Sequence, residues 1–157
     1  MFRKLRRYKQ ELPQNECIEI LKKEKRAALS VNGEDGYPYV VPINFYYDEE
    51  TQKIYFHSSR KGQKIEAIEK NDKVCFTVWE KGEKRDDWSY YVRSVIIFGR
   101  AKLIKDESLA LEKIKKFALK YYPTEEEVDH EIKKDFKAVQ MVEITIENIC
   151  GKLVHEK

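Results

Sequence analysis

Six segments of this chain have the residue types and alternation of β-strands, and they are joined by short loops, only two of which carry helices. They are Ala27–Val31, Tyr39–Tyr47, Lys53–His57, Lys73–Glu80, Trp88–Ile104 and Ala138–Glu147. The last alternates cleanly, with Val142, Ile144 and Ile146 on one side and Glu143, Thr145 and Glu147 on the other, the period-two signature of a half-buried strand. This arrangement predicts a mainly β, α+β fold: a six-stranded antiparallel barrel with peripheral helices, not a βαβ sheet. Residues 1–157 are expected to form a single domain, long enough for a real core.

The helices follow from apolar spacing. Asn15 to Arg26 places Cys17, Ile18 and Leu21 on one face, with Asn15 as the expected N-cap. Gly62 to Asn71 is a short helix with Ile65 and Ile68 on one side. Asp106 to Tyr122 is a clearer one, with Leu109, Ile114, Phe117 and Leu119 among its apolar residues and Tyr121-Tyr122-Pro123 as its stop. Thr124 and Glu127 have capping-box spacing for one further short helix. Asn32-Gly33-Glu34-Asp35-Gly36 is a dense turn signal, and Lys81 to Asp87 a polar loop. Pro42 cannot donate to a ladder and marks an edge strand or bulge. Gly99 and the pair Arg93-Ser94 predict a bend within the long fifth strand.

Composition excludes several functions. Thirty-one basic residues against twenty-eight acidic ones give +3, too even a balance to predict a nucleic-acid partner. Arg3, Lys4, Arg6, Arg7 and Lys9 crowd the start, where a solvated segment is expected. No apolar core follows them and no stretch is long enough for a membrane span, so a cytoplasmic protein without a membrane partner is expected. Cys17, Cys75 and Cys150 are odd in number and far apart, which argues against a disulfide framework and against a zinc site. Cys75 is expected to be a small buried thiol, and His130 and His155 to lie at the surface. No Gly-x-Gly-x-x-Gly follows a strand, and there is no Walker sequence.

Three segments carry the candidate chemistry. His57-Ser58-Ser59-Arg60-Lys61-Gly62-Gln63-Lys64 leaves an apolar strand and opens a helix with two hydroxyls, a glycine and three cations. A phosphate needs those parts, although polar loops of this composition are also common. In Tyr39-Val40-Val41-Pro42-Ile43-Asn44-Phe45 the proline can leave backbone groups available to a flat heterocycle. In Trp88-Ser89-Tyr90-Tyr91-Val92-Arg93-Ser94-Val95 a polar pair sits inside an apolar strand, where a ligand phosphate or a solvent-facing rim would satisfy it.

In this order the segments resemble the pyridoxamine 5′-phosphate oxidase-like flavin-binding proteins, in particular the branch of nitroimidazole-resistance proteins. The matching pieces are Gly36-x-Pro38-Tyr39-Val40-Val41-Pro42-Ile43-Asn44-Phe45, Ile54-Tyr55-Phe56-His57-Ser58 with Gly62-x-Lys64, Val74-Cys75-Phe76, Ser94-Val95 with Gly99-Arg100-Ala101, and Val142-x-Ile144 with Gly151-Lys152. The resemblance implies a six-stranded split β-barrel and a homodimer that holds FMN in a groove between subunits. Val41, Pro42, Ile43 and Asn44 would line the ring system, and His57 and Ser58 would sit at the cofactor. Lys64 would reach the phosphate, with Ser59 and Ser94 as hydroxyl partners. It also implies an oxidoreductase that passes electrons to a small-molecule acceptor such as a nitro compound. His57 is the catalytic candidate, its unperturbed pKa of about 6.5 suiting proton transfer. A flavin carrier or redox sensor without turnover is one alternative and pyridoxamine 5′-phosphate oxidase-like activity another, and related split barrels also hold F420 or haem. The chain lacks the C-terminal Arg-x-x-Pro-type segment of the fuller pyridoxamine oxidases, which argues against pyridoxamine oxidation.

Overall fold

The computed structural model describes residues 1–85 and 88–156. In chain order the elements are β1 (Glu11–Leu12), α1 (Gln14–Lys23), β2 (Arg26–Asn32), β3 (Pro38–Asn44), β4 (Tyr46–Asp48), β5 (Lys53–Ser59), α2 (Gln63–Lys70), β6 (Lys73–Trp79), β7 (Glu83–Lys84), β8 (Tyr90–Leu103), α3 (Glu107–Leu119), α4 (Glu125–Asp135) and β9 (Val139–Glu156). All strand pairings are antiparallel, in the order β3-β2-β6-β8-β9-β5-β4, with β1 added to β9 and β7 to β8.

The two ends of that order are consecutive in sequence. The run expected as one strand over Tyr39–Tyr47 is broken at Phe45: β3 pairs with β2, and β4 with β5. One strand thus changes partner, which closes the sheet into a six-stranded barrel with a seam. The short β1 and β7 are additions. Pro42 lies on β3, whose outer edge faces the seam, as a residue without an N–H requires.

The partner change costs Phe45 its ladder, and Phe45 is fully buried. Its amide donates to the Tyr121 hydroxyl at 2.9 Å, and that hydroxyl lies 2.6 Å from both the Phe45 and the Lys25 carbonyls. The Lys120 ammonium donates to the Phe45 carbonyl at 3.3 Å and to the carbonyls of Leu21 and Glu24 at the end of α1. Two residues just past α3 therefore satisfy the break in the sheet and cap α1. Burial pushes the Tyr121 phenol up to about 12. Burial, with some help from Lys25, pulls Lys120 down to about 8.

The barrel interior is filled from alternate positions: Leu29 of β2, Phe45, Ile54 and Phe56 of β5, Phe76 and Val78 of β6, Val95 and Ile97 of β8, and Val142 and Ile144 of β9. A second cluster, Tyr55, Ile104, Ala110, Ile114 and Met141, packs α3 against the outside of β5 and β9. There the Lys113 ammonium meets Asp48 at 2.7 Å, both buried. Burial works to raise the Asp48 pKa, but the bonds from Lys113 and the Glu50 amide, with the Lys113 and Lys116 charges, outweigh it and leave the carboxyl below its ordinary range.

Several boundaries differ from expectation. β9 runs on to Glu156 because a bulge between Phe98 and Gly99 of β8 leaves Glu147 unpaired and shifts the register. Alternation changes phase there, from Val142, Ile144 and Ile146 to Ile149, Gly151 and Leu153, which hides the continuation in the sequence. Gly99 is required at this point, since a Cβ would stand 2.4 Å from the Thr145 carbonyl oxygen. α1 begins at Gln14 after Pro13, so Asn15 is inside its first turn and not the cap. The α3 N-cap is Asp106, which accepts from the Leu109 amide at 3.1 Å, and Leu119 is exposed. Thr124 caps α4 as its spacing predicts. Cys75 is half-buried on the outer face of β6, not in the core. His155 is half-buried and stacked on Tyr91 at 4.2 Å. The polar loop after β6 contains β7, and its last two positions, Asp86 and Asp87, lie outside the described residues. Among the described residues, no helix is long and apolar enough to cross a membrane.

Candidate functional site

At the seam, β3, β5 and the start of α2 leave a groove of about 340 Å³ lined by Arg26, Pro42, Ile43, Asn44, His57 and Lys64. Each lining residue is placed by a simple local cause. Pro42 and Asn44 lie on the outward face of β3, alternating with the inward Val41 and Ile43. Arg26 pairs with Asn44 across β2 and β3. On β5, Ile54, Phe56 and Ser58 face the barrel interior, so Tyr55, His57 and Ser59 face outward. The left-handed turn at Gly62 (φ 129°) starts α2 and brings Lys64 in its first turn to the groove.

The groove is cationic, with Arg26 and Lys64 on its wall and no carboxylate among its lining residues. Burial pulls the Lys64 pKa below the ordinary lysine value. The His57 pKa is also lowered, first by partial desolvation and then by the Lys64 charge. Gly62 supplies no side-chain cap, which leaves the first-turn amides of α2 without intrahelical partners.

Five of the residues predicted from the sequence therefore meet: Pro42, Ile43, Asn44, His57 and Lys64. Val41 packs against the core instead, and only its backbone lies along the seam. Ser58 is half-buried on the inward face of β5. Ser59 is exposed and donates to the Lys61 carbonyl at 2.6 Å, which closes the loop before α2. Ser94 pairs with Trp79 on β6, three strands from β3, roughly 14 Å at ordinary strand spacing. Its neighbour Arg93 needs no ligand phosphate, because Glu80 grips it bidentately at 2.7 and 2.8 Å and Glu16 accepts at 3.2 Å. Arg26 is the groove residue that sequence reasoning missed. An arginine preceding an ordinary strand carries no signal until its neighbours across the seam are known. Among the described residues, no group of His, Cys, Asp and Glu has the geometry to hold a metal ion.

A partner-changing strand that closes a six-stranded barrel, with a cationic groove at the seam, defines the class as split-barrel proteins. The chain belongs to the pyridoxamine 5′-phosphate oxidase family, whose model matches residues 13–153. No curated protein matches it in sequence. Its fold is similar to that of a proposed 5-nitroimidazole antibiotic resistance protein from Bacteroides thetaiotaomicron (TM-score 0.78, 20% identity, 93% of this chain and 87% of that one). It is also similar to an FAD-binding protein from Mesorhizobium loti (TM-score 0.71, 22% identity, 92% and 97%). A third similar fold is that of a flavocytochrome from Azotobacter vinelandii (TM-score 0.77, 24% identity, 96% and 72%). At these identities the likeness establishes the fold.

Proposed function

We propose that this protein is a flavin-binding oxidoreductase that holds FMN at the barrel seam and passes electrons to small acceptors such as nitro compounds. The observation that carries this reading is the cationic groove beside an unpaired strand edge. Lys64, Arg26 and the uncapped first turn of α2 supply charge and N–H donors for a phosphate. Asn44, Pro42 and the β3 edge form a flat wall with backbone donors and acceptors for a ring system. Bound flavin supplies two-electron chemistry that can be delivered one or two electrons at a time. His57 lies on the groove wall and, when protonated from solvent, serves as the proton donor to the acceptor.

The reading includes a homodimer. The outer face of β3, β2, β6 and β8 carries Val40, Trp79, Ile96 and Phe98 at 42–58% exposure, beside half-buried Ser30, Cys75 and Thr77. A contiguous apolar sheet face of this kind marks an interaction surface. A second copy seated there would cover the face, close the shallow groove and bring Ser94 near a cofactor.

The test is the visible spectrum of purified protein, with the heat-released cofactor identified by mass and the oligomer measured by light scattering. FMN and a dimer are expected; a colourless protein that takes up no added flavin, or a flavin-loaded monomer, would overturn the respective part. His57→Ala is expected to keep its flavin while single-turnover oxidation by a nitro compound slows about 10²–10⁴-fold. An unchanged rate per bound flavin would leave His57 as structure alone.

A further inference from the structure

His57 also lines a second cavity, of about 140 Å³, which has no other lining residue in common with the groove. Its walls are Ile114, Phe117 and Ala118 of α3, with Ile132, Phe136 and Val139 from the segment leading into β9. The imidazole stands edge-to-face against Phe117, with ring centres 5.0 Å apart. An apolar cavity of this volume fits one six-membered ring; an engineered cavity of about 150 Å³ binds benzene.

Besides His57 and Tyr122, the polar side chains of this cavity are two carboxylates. Glu131 and Asp135, one turn apart on α4, line it, and neither has a hydrogen bond or ion pair among the described residues. The nearby Lys115 is drawn aside to Asp129 at 3.0 Å. Beyond Tyr122 the opening continues onto a shelf formed with Glu126 and Glu127. The two cavities flanking His57 are thus opposite in character: a cationic groove with Arg26 and Lys64, and an apolar pocket with two carboxylates. A phosphate-bearing ligand is repelled from the second, and a cation from the first.

We propose that the α3–α4 cavity binds a single aromatic ring bearing a positively charged amine, with the ring between Phe117, Ile132 and Phe136 and the ammonium at Glu131 and Asp135. Tyr122 at the opening adds a π-face for the same cation. The site shares only His57 with the proposed flavin groove and goes beyond the oxidoreductase reading. The binding itself needs no flavin.

The test is titration calorimetry of the purified full chain with 2-phenylethylammonium and with 2-phenylethanol, a neutral compound of similar size. The ammonium compound is expected to bind about tenfold more tightly, the worth of one charge-assisted hydrogen bond. Glu131→Gln with Asp135→Asn, both near the surface, should erase that preference and retain the neutral compound. Ala118→Leu should block both compounds, and Ile132→Trp does the same from the opening if the first variant does not fold. Equal affinities in the wild type, a preference that survives the double substitution, or no binding of either compound would overturn the proposal. Repeating the titration on flavin-stripped protein separates the two readings. Binding that persists in a protein unable to take up flavin supports the cavity and rejects the oxidoreductase; flavin uptake without amine binding does the reverse.

Discussion

Replacing Tyr121 by phenylalanine removes one oxygen at the point where the barrel strand changes partner. The ring is expected to stay, because it stacks on Phe117 with centroids 4.8 Å apart and faces Lys25 and Lys120. The fully buried Phe45 amide loses its acceptor at 2.9 Å, and an orphaned buried donor costs about 1–3 kcal/mol. The hydroxyl donates to only one of the Phe45 and Lys25 carbonyls at a time, and losing that bond adds about 0.5–1.5 kcal/mol. Lys120 still serves the Phe45 carbonyl, and the Lys25 carbonyl reaches water, so the lower part of that range applies. The sum is about 1.5–3.5 kcal/mol, or roughly 3–14 °C in Tm for a domain of this size. Urea denaturation with linear extrapolation, alongside thermal unfolding, measures it directly. Because Asn44 immediately precedes Phe45, flavin affinity is expected to fall as well. A stability change below about 0.5 kcal/mol, the scale of a neutral surface substitution, would show that the Phe45 amide does not depend on Tyr121.

Lys64→Ala is expected to weaken FMN binding about 10–100-fold while leaving riboflavin, which has no phosphate, nearly unaffected; equal losses for both ligands, measured by fluorescence titration, would remove Lys64 from the phosphate site. Gly99→Ala places a methyl group against the Thr145 backbone at the β8–β9 bulge and should destabilise by about 1–3 kcal/mol in urea unfolding, whereas wild-type stability would mean the bulge yields freely. Asp48→Asn removes the buried partner of the Lys113 ammonium, which keeps only the more exposed Glu112 carboxylate at 2.9 Å, and should cost about 3 kcal/mol at pH 7. The folded Asp48 pKa is the lower one, so its contribution is full above the unfolded carboxylate value and is lost as pH falls through the folded value. Acid unfolding below about pH 4 should therefore be steeper in the wild type than in Asp48→Asn, and parallel profiles would refute the pair's role.

Local pattern carried the barrel. Runs such as Lys73–Glu80 state both their strand character and their buried face, because side chains alternate with period two whatever the rest of the chain does. The first turn of α4 was equally legible, since Thr124 and Glu127 satisfy each other within four residues. Five of the groove residues were visible because they flank strand ends and a helix start, where chain direction alone brings polar groups together. What the sequence withheld depends on contacts distant in the chain. The second half of β9 was hidden because a bulge, set by Gly99 some fifty residues earlier, reverses its alternation. The break at Phe45 was hidden because the groups that satisfy it, Lys120 and Tyr121, lie 75 and 76 residues away. Arg93 looked like a ligand site until Glu80 and Glu16, on two other elements, were found holding it. The cavity beyond His57 exists only because α3 packs against β5 and α4 against α3, and no single stretch of sequence contains its walls.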